Sequence, residues 1–423
     1  MLPVSTLVFI FTLSIAVVVI TRRRPWSRHR YQFPNSHVDS SEKSTSVGDD
    51  KENEDGNPLK WGSGIEPLDG FDWRATPPLK LRPFKPIFNV TMAIQNSTPS
   101  ELIVMDCNYL DRVTGRRRLI DKHGSLLHGV TPAGAAAVQE LYTYLLGTYL
   151  PTRYPSMFTI KQEGVPGSDP QAPGTTRTVF HNKVTDRAFP LTPPRFNPSE
   201  MLRILGETVE EDMFLLLQDQ VQNAESDSPN KQEHRSVAFV CCHPAGFDPS
   251  EKLGMRLAEI HGPVPGYEKI GASMERYFAR LEAGKSVKRV NWSIQTHANL
   301  YAPSSSGNHI YTHPSNPTQP TDQDQDQNNN QPHHQNNTTP QTDDPSQAIF
   351  RVERQTLTRL PQTRAILFSF KTYMYPLSEI REEGLGPQLA DAIEGLQKGN
   401  APGMWVYKGG VRWGESLKGY LRG

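Results

Sequence analysis

One histidine stands at the end of a segment that predicts a short, firmly terminated helix. Asp248 is a good N-cap and Glu251 completes a capping box, so the helix is expected to begin there. Leu257 and His261 then share one face, and Gly262 ends the helix. A neutral imidazole in this place suits iron, because one ring nitrogen binds the metal while the protein holds the other. The alternative is a histidine that interacts with the helix C-terminal dipole, and the residue types alone favour this alternative.

Two strand-like segments carry polar side chains at alternate positions. Those that share a face are Arg289, Asn291 and Ser293 in the first segment, and Arg351, Glu353 and Gln355 in the second. Arg354 belongs to the other face of the second strand, because side chains alternate along a strand. Two neighbouring polar faces could form a pocket that orients a charged ligand. A solvated sheet face with cross-strand ion pairs explains the same residues equally well.

Two further groups of residues are better explained by a structural role than by catalysis or ligand binding. Cys241 and Cys242 could offer a thiolate to iron, but the pair is more typical of small apolar residues in a buried strand. The arginines at 116–118 are more typical of a basic surface turn than of an anion site. We therefore expect neither group to belong to the functional site.

Composition and missing motifs exclude several classes of function. Lys+Arg and Asp+Glu both total 45, so no net basic charge attracts nucleic acid. Three cysteines cannot supply a disulfide framework or the four thiolates of an ordinary iron–sulfur cluster. The sequence has no Walker loop, dinucleotide fingerprint or nucleophile elbow. A redox function would therefore take its electrons from another protein or from a bound small reductant.

The helices and strands that must position these residues are predicted to form an α+β domain with an antiparallel sheet. β-Branched and aromatic residues predict strands at 237–242, 287–294, 350–357 and 365–373. Asn197-Pro198 predicts the start of a helix that carries Leu202, Leu205, Val209 and Phe214, and Thr131-Pro132 predicts another. Helices at both ends and strands concentrated late in the chain are typical of this class.

The flanks of this domain predict a single-pass membrane protein. Residues 2–20 form an uncharged apolar run close to the length of a spanning helix, and three arginines follow it at 22–24. The positive-inside rule then places the domain in the cytosol. A cleaved signal peptide is the alternative, but it predicts positive charge before the run and small residues at its end. We predict a transmembrane anchor at 1–24, a flexible tether at 25–70, the functional domain at 71–410 with a disordered insertion at 303–347, and a C-terminal tail at 411–423.

Several short motifs, taken in order, resemble the haem-dependent oxidative N-demethylase α-subunit-like family. They include RPFK at 82–85, YLDR at 109–112, RYPSM at 153–157, LGETVEED at 205–212, IHGPVP at 260–265, RVNW at 289–292 and RVERQTL at 351–357. The resemblance covers nearly all of residues 71–375. No single motif is diagnostic, but their number and order are specific.

The resemblance implies a PAS-like haem-binding fold and an oxidation in which a small methylated amine loses a methyl group as formaldehyde. It implies b-type haem with His261 as the iron ligand. Arg289 and Arg354 become candidates for contacts with haem, while Asn291 and Glu353 become candidates for the catalytic pocket. The implied partners are the amine, O₂, a separate reductase and the membrane. The insertion between RVNW and RVERQTL departs from the family pattern, and it is expected to be a surface loop in a position to cover or regulate the site.

Two other functions compete with this oxygenase hypothesis. PAS folds commonly serve as sensors, so a haem-based gas or redox sensor would bind haem without turning over an amine. An interaction module that has lost haem would bind none. These hypotheses differ in two observations: absorption by bound haem and turnover with a reductant.

Overall fold

A seven-stranded antiparallel sheet forms the centre of the domain. The computed structural model describes residues 63–165, 175–193, 195–219, 233–304 and 344–423. The order of the strands across the sheet is β1-β8-β9-β10-β6-β7-β2. Their bounds are β1 Gln95–Ser97, β2 His128–Val130, β6 Asp212–Gln218, β7 His234–Val240, β8 Ser286–Gln295, β9 Ile349–Arg359 and β10 Ile366–Pro376. The predicted α+β class and the four predicted strands are confirmed, with bounds that differ by a few residues.

Three short strands form a second, smaller antiparallel sheet. They are β3 Phe158–Val165, β4 Thr175–Asn182 and β5 Arg187–Pro190, in that order across the sheet. Phe158 and Phe180 are fully buried and stack at 5.4 Å between ring centroids, which attaches this sheet to the helical core. None of these three strands was predicted from the sequence.

Helices surround the large sheet. Their bounds are α1 Tyr109–His123, α2 Ala135–Tyr144, α3 Leu150–Arg153, α4 Pro198–Gly206, α5 Leu257–Ile260, α6 Gly271–Arg280, α7 Leu377–Glu382, α8 Gly386–Glu394, α9 Met404–Tyr407 and α10 Gly410–Arg422. The side chain of Asn197 caps α4 by accepting a hydrogen bond from the Glu200 amide, as its sequence predicts. Our expectation that α4 continues through Val209 and Phe214 is wrong, because Phe214 belongs to β6.

The prediction of one continuous helix from Asp248 to His261 is also wrong. A 3₁₀ turn covers Pro249–Lys252, and α5 begins only at Leu257. Between them, the Gly254 amide donates to the carbonyl of Ser236 at 2.8 Å, and the Ser236 amide donates to Met255. These bonds to β7 compete with helical hydrogen bonds and break the helix. The capping box predicted at Asp248 does not form, and Asp248 instead accepts a hydrogen bond from Ser304.

The two faces of the large sheet pack against different parts of the chain. We call the face that carries Asn291, Glu353, Phe370 and Phe214 the front face, and the face that carries Trp292, Val352, Lys371 and Met213 the back face. Leu257, Tyr267, Met274 and Phe278 cover the front face. Helices α2, α4, α8 and α10 cover the back face through two large apolar clusters. The front face is thus covered mainly by the segment that contains His261.

The structure describes only some of the segments into which the sequence was divided. The expected anchor and most of the tether lie outside the described residues, as do residues 305–343 of the expected insertion. Among the residues that the structure describes, no helix is both long and apolar enough to cross a bilayer. Residues 411–423, predicted as a tail, form most of α10, whose Trp413, Leu417 and Leu421 are buried.

Candidate functional site

His261 is held in one orientation at the end of α5. Its Nδ1 lies 2.9 Å from the carbonyl oxygen of Leu257, so Nδ1 carries the hydrogen and donates it. Its ring stacks on Tyr267 with centroids 4.9 Å apart and an interplanar angle of 6°. Burial lowers the pKa of His261, which keeps the imidazole neutral at neutral pH. Nε2 is then the unprotonated nitrogen, the form that binds a metal.

The turn after His261 packs on the segment that precedes α9. The Val264 amide donates to the carbonyl of His261 at 2.8 Å and closes the turn. Gly266 has a φ of +81°, and a β-carbon there would lie 2.9 Å from Cβ of Ala401. Lys269 donates to the carbonyl of Asn400. Only glycine suits this combination of backbone conformation and close approach, which ties the histidine to the C-terminal part of the domain.

Asn291 and Glu353 lie directly opposite each other on β8 and β9. The amide of Asn291 donates to Oε2 of Glu353 at 3.5 Å, and Nε2 of Gln355 donates to the same oxygen at 3.0 Å. Glu353 is only 8% exposed. Its other oxygen, Oε1, accepts no hydrogen bond from the residues that the structure describes. A largely buried carboxylate that keeps one oxygen without a protein donor suits a cationic or hydrogen-bond-donating ligand.

Arg289 places a guanidinium with an unused hydrogen-bond donor on the front face of the sheet. Its Nε is buried and has no hydrogen-bond partner within the described parts of the chain. Burial lowers its pKa, whereas the charge of Glu353 raises it. Arg289 is also close enough to His261 to lower the pKa of the imidazole. A buried guanidinium with an open donor suits an anionic group on a ligand.

Lys408, which follows α9, is a residue that the sequence analysis missed. It is 2% exposed, and its Nζ donates to Oδ1 of Asn291 at 3.3 Å and to the carbonyl of Trp292. Burial lowers the pKa of Lys408 to about 8, while Glu353 raises it and Arg289 lowers it further. The only local signal was one lysine between the apolar residues of α9 and the pair Gly409-Gly410.

Aromatic side chains form the apolar part of the front face. Phe214, Phe239 and Phe370 are buried together, and the Phe214 ring stacks on both of the others. Phe247 and Phe368 pack against this group and are partly buried. This aromatic group lies on the same face of the sheet as Arg289, Asn291 and Glu353.

The structure separates Arg354 from the other four candidates. Arg354 lies on the back face, where its guanidinium donates to the carbonyl of Glu101 at 2.8 Å. His261, Arg289, Asn291 and Glu353 lie on or over the front face. Arg289, Asn291 and Glu353 are brought together by the direct pairing of β8 with β9.

The simpler explanations of the cysteines and arginines have different outcomes. Cys241 and Cys242 are fully buried, and burial raises the pKa of Cys242 to about 12, so both remain thiols. Arg116, however, lies in α1 and is not part of a surface turn. Its guanidinium is fully buried and donates to Asp212 and to the carbonyls of Gly206 and Glu211. The expectation of a basic surface turn is therefore wrong for Arg116, which links α1 to β6.

The comparison with known families decides the wider assignment. The model of a family described as "Haem-dependent oxidative N-demethylase, alpha subunit-like" matches residues 93–418. The chain belongs to this family. The match begins just before β1 and ends within α10, so it contains the whole front face of the large sheet. The cofactor of this N-demethylase-like family is haem.

The residues of the front face fit haem. His261 offers a neutral, oriented Nε2, and Arg289 offers a buried open donor for a propionate. Phe214, Phe239 and Phe370 add a buried aromatic group on the same face of the sheet. No group of three or more acidic, histidine or cysteine side chains that could hold a metal ion is found among the described residues. A single histidine is nevertheless enough for haem iron, because the porphyrin supplies the equatorial ligands.

Proposed function

We propose that this protein is a haem oxidoreductase that uses O₂ to remove a methyl group from a small methylated amine. The observation that carries the proposal is His261, whose Nδ1 is tied to Leu257 and whose imidazole lies close enough to the buried Arg289 to feel its charge, in a chain that belongs to a haem-dependent family. We further infer that the domain has a PAS-like fold and that residues 1–24 anchor it to a membrane, with the domain in the cytosol.

In this proposal, His261 is the ligand of haem iron and Arg289 binds a propionate. The hydrogen bond from Nδ1 to Leu257 keeps Nε2 unprotonated and increases its basicity. Arg354 has no role in this site, because it lies on the back face and donates to Glu101. When bound, haem supplies the centre at which O₂ is activated and the methyl group is oxidised.

Glu353 is proposed to hold the substrate ammonium through Oε1. Oε2 already accepts hydrogen bonds from Asn291 and Gln355, so the carboxylate has one oxygen fixed and one open. A cationic amine bound there has its charge neutralised by a largely buried carboxylate. Asn291 keeps the carboxylate in this orientation. Because Glu353 is largely buried, little water reaches its carboxylate, which strengthens the ion pair with the amine.

The overall reaction requires electrons from a partner. The N–CH₃ bond is replaced by N–H, one oxygen atom enters formaldehyde and the other enters water. Two electrons and two protons balance this change. We propose that a separate reductase supplies the electrons, because the sequence has no dinucleotide fingerprint and too few cysteines for an ordinary iron–sulfur cluster.

The absorption spectrum of the full chain, expressed with haem precursor, tests the proposal. Wild type is expected to show a Soret band that the His261→Ala variant loses or shifts. His181→Ala is the matched control, since His181 pairs with Asp186 in the small sheet and should leave the band unchanged. Formaldehyde release from methylated amines with a reductant then measures turnover.

Each outcome separates the competing functions. A histidine-dependent Soret band with formaldehyde release supports the oxygenase. A Soret band without turnover of any methylated amine would indicate a haem-based sensor. A band that is identical in wild type and His261→Ala would exclude His261 as the ligand. No band in any of the proteins would leave an interaction module without haem.

A further inference from the structure

Lys408 reaches the site from a distant part of the chain. It follows α9, and its Nζ bonds both the side chain of Asn291 and the main-chain carbonyl of Trp292. In the described structure, β1 pairs with β8 only at residues 286–288, so this carbonyl lies beyond the paired part of that strand edge. The amine also lies 5.3 Å from the ring centroid of Trp292 and 5.5 Å from that of Phe88. A buried ammonium surrounded in this way is held in one place.

The contact with Lys408 decides which way the Asn291 amide points. A lysine ammonium has donors only, so it requires the oxygen of the amide. The nitrogen of the same amide must then point toward Glu353, where it donates to Oε2. Without Lys408, the Asn291 oxygen would lose this donor, and the long hydrogen bond to Oε2 would be left to hold the amide by itself. Lys408 therefore acts on the carboxylate through Asn291.

We propose that Lys408 is a positioning residue, which acts through Asn291 to keep Oε1 of Glu353 directed at the substrate amine. This inference rests on the proposed function, since it assigns the amine to Glu353. It also makes the C-terminal helices part of the active site. Residues after α8 then determine substrate binding, although the polar residues they orient lie on β8 and β9.

Steady-state kinetics of variants with intact haem test this role. Lys408→Met keeps the volume of the side chain but removes its donors, and it is expected to raise KM for the amine about tenfold or more. Haem content should stay unchanged, because His261 is untouched. Lys398→Met is the control, since Lys398 pairs with Glu394 at the surface and should leave KM unchanged. Lys408→Arg keeps a charged donor and should restore most of the affinity.

A double-variant cycle separates positioning from general damage. Glu353→Gln removes the charge that holds the amine, so adding Lys408→Met to it should raise KM no further. Fully additive effects would overturn the proposal, because Lys408 would then act independently of Glu353. Asn291→Leu should reproduce the effect of Lys408→Met and should also be non-additive with it. This second variant tests the same path if Lys408→Met does not fold.

The pH dependence gives a further readout. Glu353 and Arg289 are the charged groups that act on Lys408, and its pKa is about 8. Affinity for the amine should fall as pH rises through about 8, where Lys408 loses its proton, and Lys408→Arg should abolish this loss. If the affinity of Lys408→Arg for the amine still fell as pH rises through about 8, the positioning role of Lys408 would be contradicted. A wild-type protein without haem or turnover would instead refute the proposed function, and this inference with it.

Discussion

Burial changes the titration of individual side chains on both faces of the large sheet. Glu211, which precedes β6, shows this most clearly, since burial raises its pKa to about 7. Its Oε1 accepts a hydrogen bond from the Val104 amide, while its Oε2 is buried without a partner in the described structure. The proton on the neutral acid reduces the cost of burying this oxygen. The folded protein therefore holds a proton that the unfolded chain releases near pH 4.5.

A pH-dependent stability follows from this single residue. Between about pH 4.5 and 7, the folded state binds more protons at Glu211 than the unfolded state does, so the free energy of unfolding decreases as pH rises. The limiting slope for one proton is about 1.4 kcal/mol per pH unit. Glu211→Gln cannot titrate and should lose this contribution. Urea unfolding of both proteins across the window measures it, and equal slopes would contradict the prediction.

At the scale of elements, the segment from the 3₁₀ turn at Pro249–Lys252 to α6 depends on two glycines with left-handed backbones. Gly254 has a φ of +83°, and a β-carbon there would meet nothing within 4 Å. Gly266 has a φ of +81°, but its β-carbon would press on Ala401. The two positions share the same backbone requirement and differ in steric contact. They form a matched pair for asking how firmly the turn after His261 is held.

Gly254→Ala and Gly266→Ala are therefore expected to differ. Left-handed backbone strain should cost each variant about 1–2 kcal/mol. Gly266→Ala should lose about 1–3 kcal/mol more, because the new methyl group overpacks the contact with Ala401. Since this contact holds the turn after His261, Gly266→Ala should also shift the Soret band, whereas Gly254→Ala should not. Equal losses of stability in denaturant unfolding would argue against a rigid contact.

At the scale of the whole molecule, the proposed anchor assigns the domain to one side of a membrane. Asn96 begins an Asn-Ser-Thr sequon and is exposed on β1, so a lumenal domain would carry a glycan there. We expect the full chain to sediment with membranes and to show no mobility shift with endoglycosidase. Removing residues 1–24 should release it. A shift that disappears in Asn96→Gln would overturn the cytosolic placement.

Much of the sheet and part of the site could be predicted from local patterns. Alternation along 287–294 and 350–357 determined which side chains share a face, and it separated Arg354 from Glu353. Strand alternation is a property of neighbouring residues, so it survives without knowledge of the rest of the fold. The motif order suggested the family, which the match to residues 93–418 confirms.

Only the tertiary structure decided the remaining features, because each depends on contacts between distant residues. The helix expected through His261 breaks where Gly254 and Met255 bond to Ser236. Lys408 orients Asn291 across 117 residues of sequence, which no local pattern reveals. Arg116 is buried because carbonyls at the end of α4 and the carboxylate of Asp212 surround it. The sequence by itself therefore determined the types and faces of the site residues, whereas the fold decided which of them meet.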